Sequence, residues 1–484
     1  MAIANFRPGV RGVSPLLPLL LLLWVGSFPS PVKASDLVLV GGTLIDVDHG
    51  GSSTDDVADA VVVIHDGTIT RVGSRGKVAI TPGSRVLDVR GSYLVPGLID
   101  GFGALRGQAF ADAYLYEGVT SVLVTESPIG TDGEQVIADL AHGPRLLRGA
   151  TISGYSLTGT VPKQSPWSDH RAHDRPLSKE ELTAEIDHYA AQGFRSLMIS
   201  LDVLPEQLPM ILDSARRHHM ATFGEVAFTP YSDAIRDGIG VLIRNDHYET
   251  ALSPAADRAA YADDPMGNGA LRAVRGVCDL ALTSETLAQL GDQLAHSTTA
   301  LMPVLTIEST ADDLGTPSPW AMRSAAFVNP SDLDDPVDPT TGGRPYLLSH
   351  PDRKDALRAC AQHREDIDSA LHQRGALYLA GSGAPSFGIL PGGGLHQELR
   401  SLQKIGLTPR QALAAATSSY AELFRWNDVG QIAAGRAADI LVVTSDPRKD
   451  IAALEEIQLV VHDGQLVDRQ ALLARATGRK PDAR

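Results

Sequence analysis

Cysteine is scarce in this sequence, since only Cys278 and Cys360 occur among 484 residues. Two cysteines exclude a scaffold that depends on several disulfide bridges. One bridge and two buried thiols remain equally open alternatives. Neither cysteine lies in a motif typical of a catalytic nucleophile, and the sequence has no G-x-S-x-G motif of a serine hydrolase.

The sequence also lacks an apolar run long enough to cross a membrane. Its longest, "LLPLLLLLWV" from Leu16 to Val25, has about ten residues, and a spanning helix needs roughly twenty. Arg7 and Arg11 precede this run, and Val32 to Ala34 supply small residues for a cleavage site. This layout predicts a signal peptide at residues 1–34 and an exported, periplasmic or extracellular protein without a stable membrane span.

Excess positive charge is absent as well. The formal net charge is −16, and the predicted signal peptide contains only basic charges, so its removal leaves a more acidic chain. A strongly acidic surface repels both nucleic acid and anionic lipid. We therefore expect no nucleic-acid partner. A small-molecule ligand and a homo- or hetero-oligomer remain the candidate partners.

The sequence has no internal repeat. It also has no G-x-G-x-x-G fingerprint after an early strand, and this absence argues against an open, nucleotide-binding sheet. What the sequence has is a short β-rich stretch at each end and, between them, apolar strand-like runs that alternate with helical patterns. This order favours an α/β fold, a (β/α)₈ TIM barrel at residues 96–425, with an open doubly wound sheet as the alternative. Residues 35–95 and 426–484 are predicted to form a composite β-sandwich.

Several motifs run in one order along almost the whole chain: "YLVPGLID" (Tyr93 to Asp100), "LYEGVTSV" (Leu115 to Val122), "GLTPRQALAAATSSYAELF" (Gly406 to Phe424) and "VGQIAAGRAADILVV" (Val429 to Val443). With them the chain resembles the amidohydrolase superfamily, in its imidazolonepropionase-like and prolidase-like branch. The resemblance implies a barrel of the metal-dependent hydrolase type. It also implies a metal, commonly zinc, at the C-terminal mouth of the barrel, whose bound water attacks an amide or related carbon.

The family's ligand positions carry other residues here. In chain order they are Phe102, Ala104, Met198, Glu225, Arg244 and Gly383. Only Glu225 retains an oxygen suited to a divalent metal, and Arg244 carries a permanent positive charge. We therefore expect that the family's metal site is lost and that the protein has no cofactor, with zinc or another divalent metal only if the site has moved.

Glu225 and Arg244 follow neighbouring predicted strands, so we expect a hydrogen-bonded pair, 2.7 to 3.2 Å apart, where the metal would lie. The alternative is that each side chain faces water separately. Asp246 and His247 follow Arg244, and a strand that continues would place Asp246 on the same face. Glu225, Asp246 and His247 are the candidate catalytic residues of a relocated site, and Glu225, Arg244 and His396 are the candidate ligand-binding residues.

Three functions remain open. The first is an exported, non-catalytic amidohydrolase-fold protein (a pseudoenzyme) that binds a small ligand or partners an active homologue in a hetero-oligomer. The second is an active hydrolase that cleaves carbon–nitrogen bonds, of the dipeptide or non-peptide amide kind, through a relocated or metal-independent site. The third is a structural or interaction protein, because a fold does not determine its chemistry.

Overall fold

The structure is a computed structural model that describes residues 36–124, 140–155, 175–263, 275–311, 322–334 and 351–478. The predicted signal peptide lies outside these residues. The described residues belong to one compact unit, Ser35–Arg484. No helix in these ranges is both apolar enough and long enough to cross a bilayer.

The N-terminal segment forms six strands: β1 Leu37–Val40, β2 Thr43–Leu44, β3 Ala60–His65, β4 Thr68–Ser74, β5 Arg85–Asp88 and β6 Tyr93–Pro96. Four of them form a sheet in the order β4-β3-β1-β5. Asp66 and Gly67 connect β3 to β4, both with positive φ. A two-residue Asp-Gly turn of this kind matches the twist of the two strands of a hairpin.

The middle of the chain provides the eight barrel strands: β7 Leu98–Gly103, β8 Val119–Val124, β9 Arg145–Ile152, β10 Ser196–Ile199, β11 Ala221–Gly224, β12 Val241–Ile243, β13 Ala300–Met302 and β14 Leu377–Tyr378. They form one sheet in which every neighbouring pair is parallel and the strand order follows the chain. The Gly101 amide donates to the Ala380 carbonyl (3.2 Å) and the Gly383 amide to the Phe102 carbonyl (2.7 Å). These bonds join the first strand to the segment after the last one, so the curled sheet closes as a TIM barrel.

The C-terminal segment adds three strands: β15 Ile440–Val443, β16 Ile457–His462 and β17 Gln465–Leu466. They join strands of the N-terminal segment in a second sheet, ordered β17-β16-β15-β6-β2. Buried aliphatic side chains of both sheets, among them Leu39, Val62, Leu94 and Val442, form one cluster. The two ends of the chain therefore build one β-sandwich beside the barrel, as the sequence predicts.

Fourteen helices are bounded within the described ranges. They are α1 Asp48–Gly51, α2 Gln108–Tyr116, α3 Lys179–Ala191, α4 Leu208–Arg217, α5 Tyr231–Asp237, α6 Glu249–Leu252, α7 Ala255–Asp263, α8 Glu285–Ala295, α9 Leu305–Ala311, α10 Pro351–Gln373, α11 Gly393–Lys404, α12 Pro409–Ala415, α13 Ser418–Phe424 and α14 Arg469–Ala476. Short 3₁₀ turns include Asn245–His247, Arg323–Ala326 and Ile451–Glu455.

The inside of the barrel is filled by apolar side chains. Its cluster includes Ile99, Leu123, Leu147, Phe223 and Val241, each at most 1% exposed. Inward positions of a TIM barrel alternate along each strand and form stacked layers, so such a barrel is a packed core and not a pore. Function must therefore be sought at the ends of the strands or outside the barrel.

The two cysteines form a disulfide bridge, Cys278–Cys360, across 82 residues of sequence. Its Cα atoms are 4.9 Å apart, within the usual range for a bridge. Of the two alternatives left open by the sequence, the structure therefore supports the single bridge.

Candidate functional site at the barrel mouth

Glu225 and Arg244 lie side by side at the C-terminal ends of two adjacent strands. Glu225 directly follows β11 and Arg244 directly follows β12, and the register of these parallel strands pairs Gly224 with Leu242. One guanidinium nitrogen of Arg244 is 3.7 Å from a carboxylate oxygen of Glu225. The two groups form an ion pair, but their separation is longer than the predicted hydrogen-bonded contact of 2.7 to 3.2 Å.

The backbone of Arg244 is held in an unusual conformation. Its φ of +69° is in the left-handed region, which is uncommon for residues other than glycine. The Arg244 amide donates to the Met302 carbonyl (2.8 Å), and the Tyr231 hydroxyl donates to the Arg244 carbonyl (3.0 Å). Asn245 donates to Asp368 (2.9 Å). These bonds fix the position of Arg244, and backbone strain of this kind concentrates at functional sites.

Around this pair, the positions where the family resemblance places metal ligands carry apolar side chains or none. Phe102 packs on the cluster inside the barrel, and Met198 is part of that cluster and 8% exposed. A Cβ atom on Gly383 would approach Ile307 at 2.8 Å and Val304 at 2.9 Å, and Gly383 has a φ of +74°. The site therefore has no room for an aspartate at residue 383. The side chains present at these positions do not fit a divalent metal.

Asp246 and His247 are not on a continuation of β12. The strand ends at Ile243, and Asn245–His247 form a 3₁₀ turn, so the condition under which Asp246 would share the strand face of Arg244, a strand that continues, is not met. The positive φ of Arg244 ends the alternation of the strand. The His247 Nδ1 is 3.6 Å from a carboxylate oxygen of Glu249. The side chain of Asp246 lies outside the described part of the structure.

His396, the remaining candidate for ligand binding, lies on α11 in the outer helical layer. Its Nε2 donates to the carbonyl of Glu117 (2.8 Å), which follows α2. Burial lowers the pKa of His396 to about 4, so the imidazole is neutral near pH 7. The structure thus brings Glu225 and Arg244 together, while His396 has its own partner on a neighbouring helix. The roles of these residues stay predictions.

Asp100 is a buried acid that the sequence suggested only as part of the strand frame. It is 0% exposed and accepts hydrogen bonds from the amide (2.8 Å) and the hydroxyl (2.6 Å) of Ser382. Burial raises the pKa of Asp100 to about 6 in spite of these bonds. Asp100 thereby ties the first barrel strand to the segment that follows the last one, immediately below the mouth.

A different group of side chains lies together in the second β-sheet. Asp439, His462 and Asp463 each offer one ligand atom, and these atoms all lie within 4.8 Å of one another. One imidazole and two carboxylates are a donor set that suits zinc and other divalent ions. Arg145 contacts both carboxylates, with its Nε 3.4 Å from Asp439 and its Nη2 bonded to Asp463.

Comparisons with known proteins agree with this architecture. The Amidohydrolase family matches residues 351–467. A 54-residue segment is 50% identical to Adenine deaminase 2 of Agrobacterium fabrum, covering 11% of this chain and 9% of that protein. The match thus spans only a small part of the curated relative.

Among solved structures, a Xaa-Pro dipeptidase with bound methionine in the active site is similar at a TM-score of 0.58 and 16% identity, covering 90% of this chain and 100% of the other. Phenylurea hydrolase B is similar at a TM-score of 0.59 and 17% identity, covering 90% and 98%. The chain therefore shares with these proteins a fold of a TIM barrel and flanking β-sheets. The C-terminal part of the chain, residues 351–467, is thus similar to the amidohydrolase family, and the solved structures share the fold of most of the chain.

The family match and the structure together correct one expectation from the sequence. We expected no cofactor, but members of this family normally depend on a metal, and Asp439, His462 and Asp463 form a possible metal-binding group. The expectation of no cofactor is therefore wrong. The sequence predicts only a β-rich stretch around Asp439 and His462, and this pattern does not show that β15 and β16 place Asp439 opposite His462.

Proposed function

We propose that the barrel mouth of this amidohydrolase-like protein binds a small zwitterion, an amino acid or a dipeptide, through Glu225 and Arg244. The observation that carries the proposal is the ion pair itself. Its two groups are 3.7 Å apart and belong to side chains that are 9% and 20% exposed. The pair is thus largely shielded from water, which strengthens its interaction with a charged ligand.

The chemistry of the pair fits such a ligand. An ammonium group is attracted to the Glu225 carboxylate, and a carboxylate can accept two parallel hydrogen bonds from the guanidinium of Arg244. The fixed backbone of Arg244 reduces the entropy lost on binding. The similar Xaa-Pro dipeptidase has methionine bound in its active site, which supports a ligand of this size and charge.

At the mouth the ligand is bound and not hydrolysed by the family's chemistry, because Phe102, Met198 and Gly383 offer no nitrogen or carboxylate ligand. The proposal concerns the mouth alone, and Asp439, His462 and Asp463 remain the possible metal-binding group of the chain. In this interpretation the protein is a ligand-binding pseudoenzyme, with an active homologue as a possible hetero-oligomeric partner. The second candidate is a hydrolase of carbon–nitrogen bonds, favoured by the similarity to a dipeptidase and a phenylurea hydrolase.

We also propose that the protein is exported to the periplasm or the extracellular space. The signal-peptide pattern of residues 1–34 is one support. The Cys278–Cys360 bridge is the other, because disulfides persist mainly in oxidising compartments. N-terminal sequencing of the protein recovered from the periplasm or the medium tests this proposal, and an intact N-terminus in the cytoplasmic fraction would contradict it.

The test of the mouth is a thermal-shift titration with methionine and with methionyl-proline. Methionine amide and N-acetylmethionine, each lacking one of the two charges, are the matched probes. We expect the zwitterions to raise the melting temperature, and both Glu225→Gln and Arg244→Gln to weaken binding about tenfold or more. Arg236→Gln, which changes an exposed ion pair on α5, is the control.

Chromatography of the methionyl-proline samples shows whether the dipeptide is cleaved, and so distinguishes a ligand-binding protein from a hydrolase. Binding without cleavage supports the proposal. Cleavage by the wild type that Glu225→Gln abolishes would overturn the non-catalytic interpretation in favour of the hydrolase. Absence of binding by all probes, or binding unchanged in both variants, would overturn the role of the pair.

A further inference from the structure

The outer layer of the barrel contains a polar cavity that is separate from the mouth. It has a volume of about 700 Å³, within the range of small-molecule sites. One face of α11 lines it, through residues at helical spacing: Gly393, His396, Gln397, Arg400, Ser401 and Lys404. Glu117, Arg323 and the 3₁₀ turn Ile451–Glu455 contribute the facing walls. Neither Glu225 nor Arg244 lines this cavity.

The polar face of α11 is buried, which is unusual for a helix of the outer layer. Leu395, Leu399 and Leu402 on the other side are at most 1% exposed, as expected for the face that packs on the core. His396 and Gln397 are also only 4% and 6% exposed. Surface helices normally turn such residues to solvent. Here hydrogen bonds offset their burial, because His396 donates to the Glu117 carbonyl (2.8 Å) and the Gln397 amide donates to the Ser309 hydroxyl (3.0 Å).

The charged side chains that line the cavity are three cations, Arg323, Arg400 and Lys404, and three acids, Glu117, Glu455 and Glu456, and they differ in whether they are paired. Glu455 is paired with Arg400, and Lys404 is paired with the buried Glu365. Arg323 makes no hydrogen bond or ion pair to another residue within the described ranges, and it is exposed. The third acid of the wall, Glu456, is exposed and accepts hydrogen bonds from the hydroxyls of Thr444 (3.0 Å) and Ser445.

The buried acid of this region lies near three arginines. Glu117, 6% exposed, is the buried acid of the wall, and Arg323, Arg400 and Arg469 all act on it electrostatically. Burial lowers the pKa of both Arg400 and Arg469, so the acids nearby do not fully offset the loss of water around these guanidiniums. The Nη2 of Arg469 is buried without a hydrogen-bond partner among the described residues.

We propose that this cavity is a second ligand site, which binds a small anion with carboxylate or phosphate groups between Arg323 and Arg400. Arginine binds both kinds of group through paired N–H donors. The N-terminus of α11, at Gly393, adds the positive end of a twelve-residue helix to the same cavity. The buried amide of Gln397 and hydroxyl of Ser401 provide uncharged polar groups for the remainder of the ligand.

The experiment is calorimetric titration of the full mature protein with inorganic phosphate and, separately, with succinate, at constant ionic strength. Constant ionic strength removes the general effect of salt on charged surfaces. We expect at least one anion to bind, and we expect Arg323→Gln to weaken that binding about tenfold or more. Because Arg323 is exposed and without a described partner, this variant is expected to fold like the wild type.

Three further variants make the test specific. Arg400→Gln is expected to weaken binding as well, and Arg236→Gln on α5 to leave it unchanged. Arg244→Gln is expected to retain anion binding, which separates this site from the barrel mouth. Binding of phosphate alone indicates a phosphorylated ligand, and binding of succinate indicates a dicarboxylate, and both support the site. No heat of binding at millimolar concentrations of either anion, or binding unaffected by Arg323→Gln, would overturn the proposal.

Discussion

The carboxylate of Glu398 accepts two hydrogen bonds from Thr306, one from its amide and one from its hydroxyl, both at 2.8 Å. Glu398 lies on α11, and Thr306 lies in the first turn of α9. An acid on α11 thus caps the first turn of α9, and this acid is 0% exposed. The other carboxylate oxygen of Glu398 is buried without a hydrogen-bond partner among the described residues. Burial raises the pKa of Glu398 to about 8.

This pKa predicts a dependence of stability on pH. Between the ordinary value of 4.5 and about 8, Glu398 is protonated in the folded protein and ionised in the unfolded chain. Folding therefore binds a proton, and the contribution of Glu398 to stability is lost as pH rises through this window, by at most about 1.4 kcal/mol per pH unit. Glu398→Gln keeps the size and the acceptor but removes the proton.

Urea unfolding of wild type and Glu398→Gln at pH 5, 6.5 and 8 measures the effect. We expect the stability of the wild type to fall relative to the variant as pH increases, so that the variant is the more stable at pH 8. Glu206→Gln, at an exposed glutamate, is the control and is expected to follow the wild type. A constant difference between wild type and Glu398→Gln would show that Glu398 is already ionised at pH 5.

The Cys278–Cys360 bridge predicts a second result. Closing a loop of 82 residues stabilises a protein by about 2–4 kcal/mol, chiefly through the unfolded chain. We expect no reactive thiol in the denatured, unreduced protein, and a melting temperature lower by a few degrees after reduction. The Cys278→Ser, Cys360→Ser double variant is expected to melt at the temperature of the reduced wild type and to show no response to reductant. Two thiols per chain before reduction would contradict the bridge.

Local pattern was enough to predict the barrel and the sandwich, because both arise from alternating apolar runs. The pairing of the two chain ends also followed from their shared β-rich texture. The register of that pairing could not be predicted from the same texture. The register nevertheless decides that Asp439 lies opposite His462, since Ile440 pairs with Val461. A shift of one residue would have turned the side chains of one strand to the other face.

At the barrel mouth, too, the sequence predicts which residues are neighbours but not their exact geometry. The adjacency of Glu225 and Arg244 follows from strand order, which the sequence predicts. Their separation depends on the positive φ of Arg244, and this conformation is imposed by bonds from Tyr231 and to Met302. The bond from His396 to Glu117 spans 279 positions of the chain. Tertiary contacts of this kind leave no local sequence pattern.

The metal content of two variants shows whether a bound ion lies at the barrel mouth or in the second β-sheet. The Glu225 carboxylate lies beside a guanidinium, and the family ligand positions around it offer no further donor, so we expect Glu225→Gln to leave the metal content unchanged. Asp439, His462 and Asp463 supply three ligand atoms within 4.8 Å, so His462→Gln is expected to lower it. An ion at this group must displace Arg145 from two carboxylates, so its affinity is expected to be modest.

Elemental analysis after expression with zinc and manganese, and purification without chelator, measures the metal content of both variants. His218→Gln is the matched control, because His218 is another histidine paired with an aspartate, Asp187, at 2.6 Å. If Glu225→Gln retains its metal and His462→Gln loses it, the ion lies in the β-sandwich. The barrel mouth is then free of metal, as the proposed binding of a zwitterion requires. Loss in Glu225→Gln would identify the mouth as the metal centre, and the proposed binding of a zwitterion by an ion pair would then be wrong.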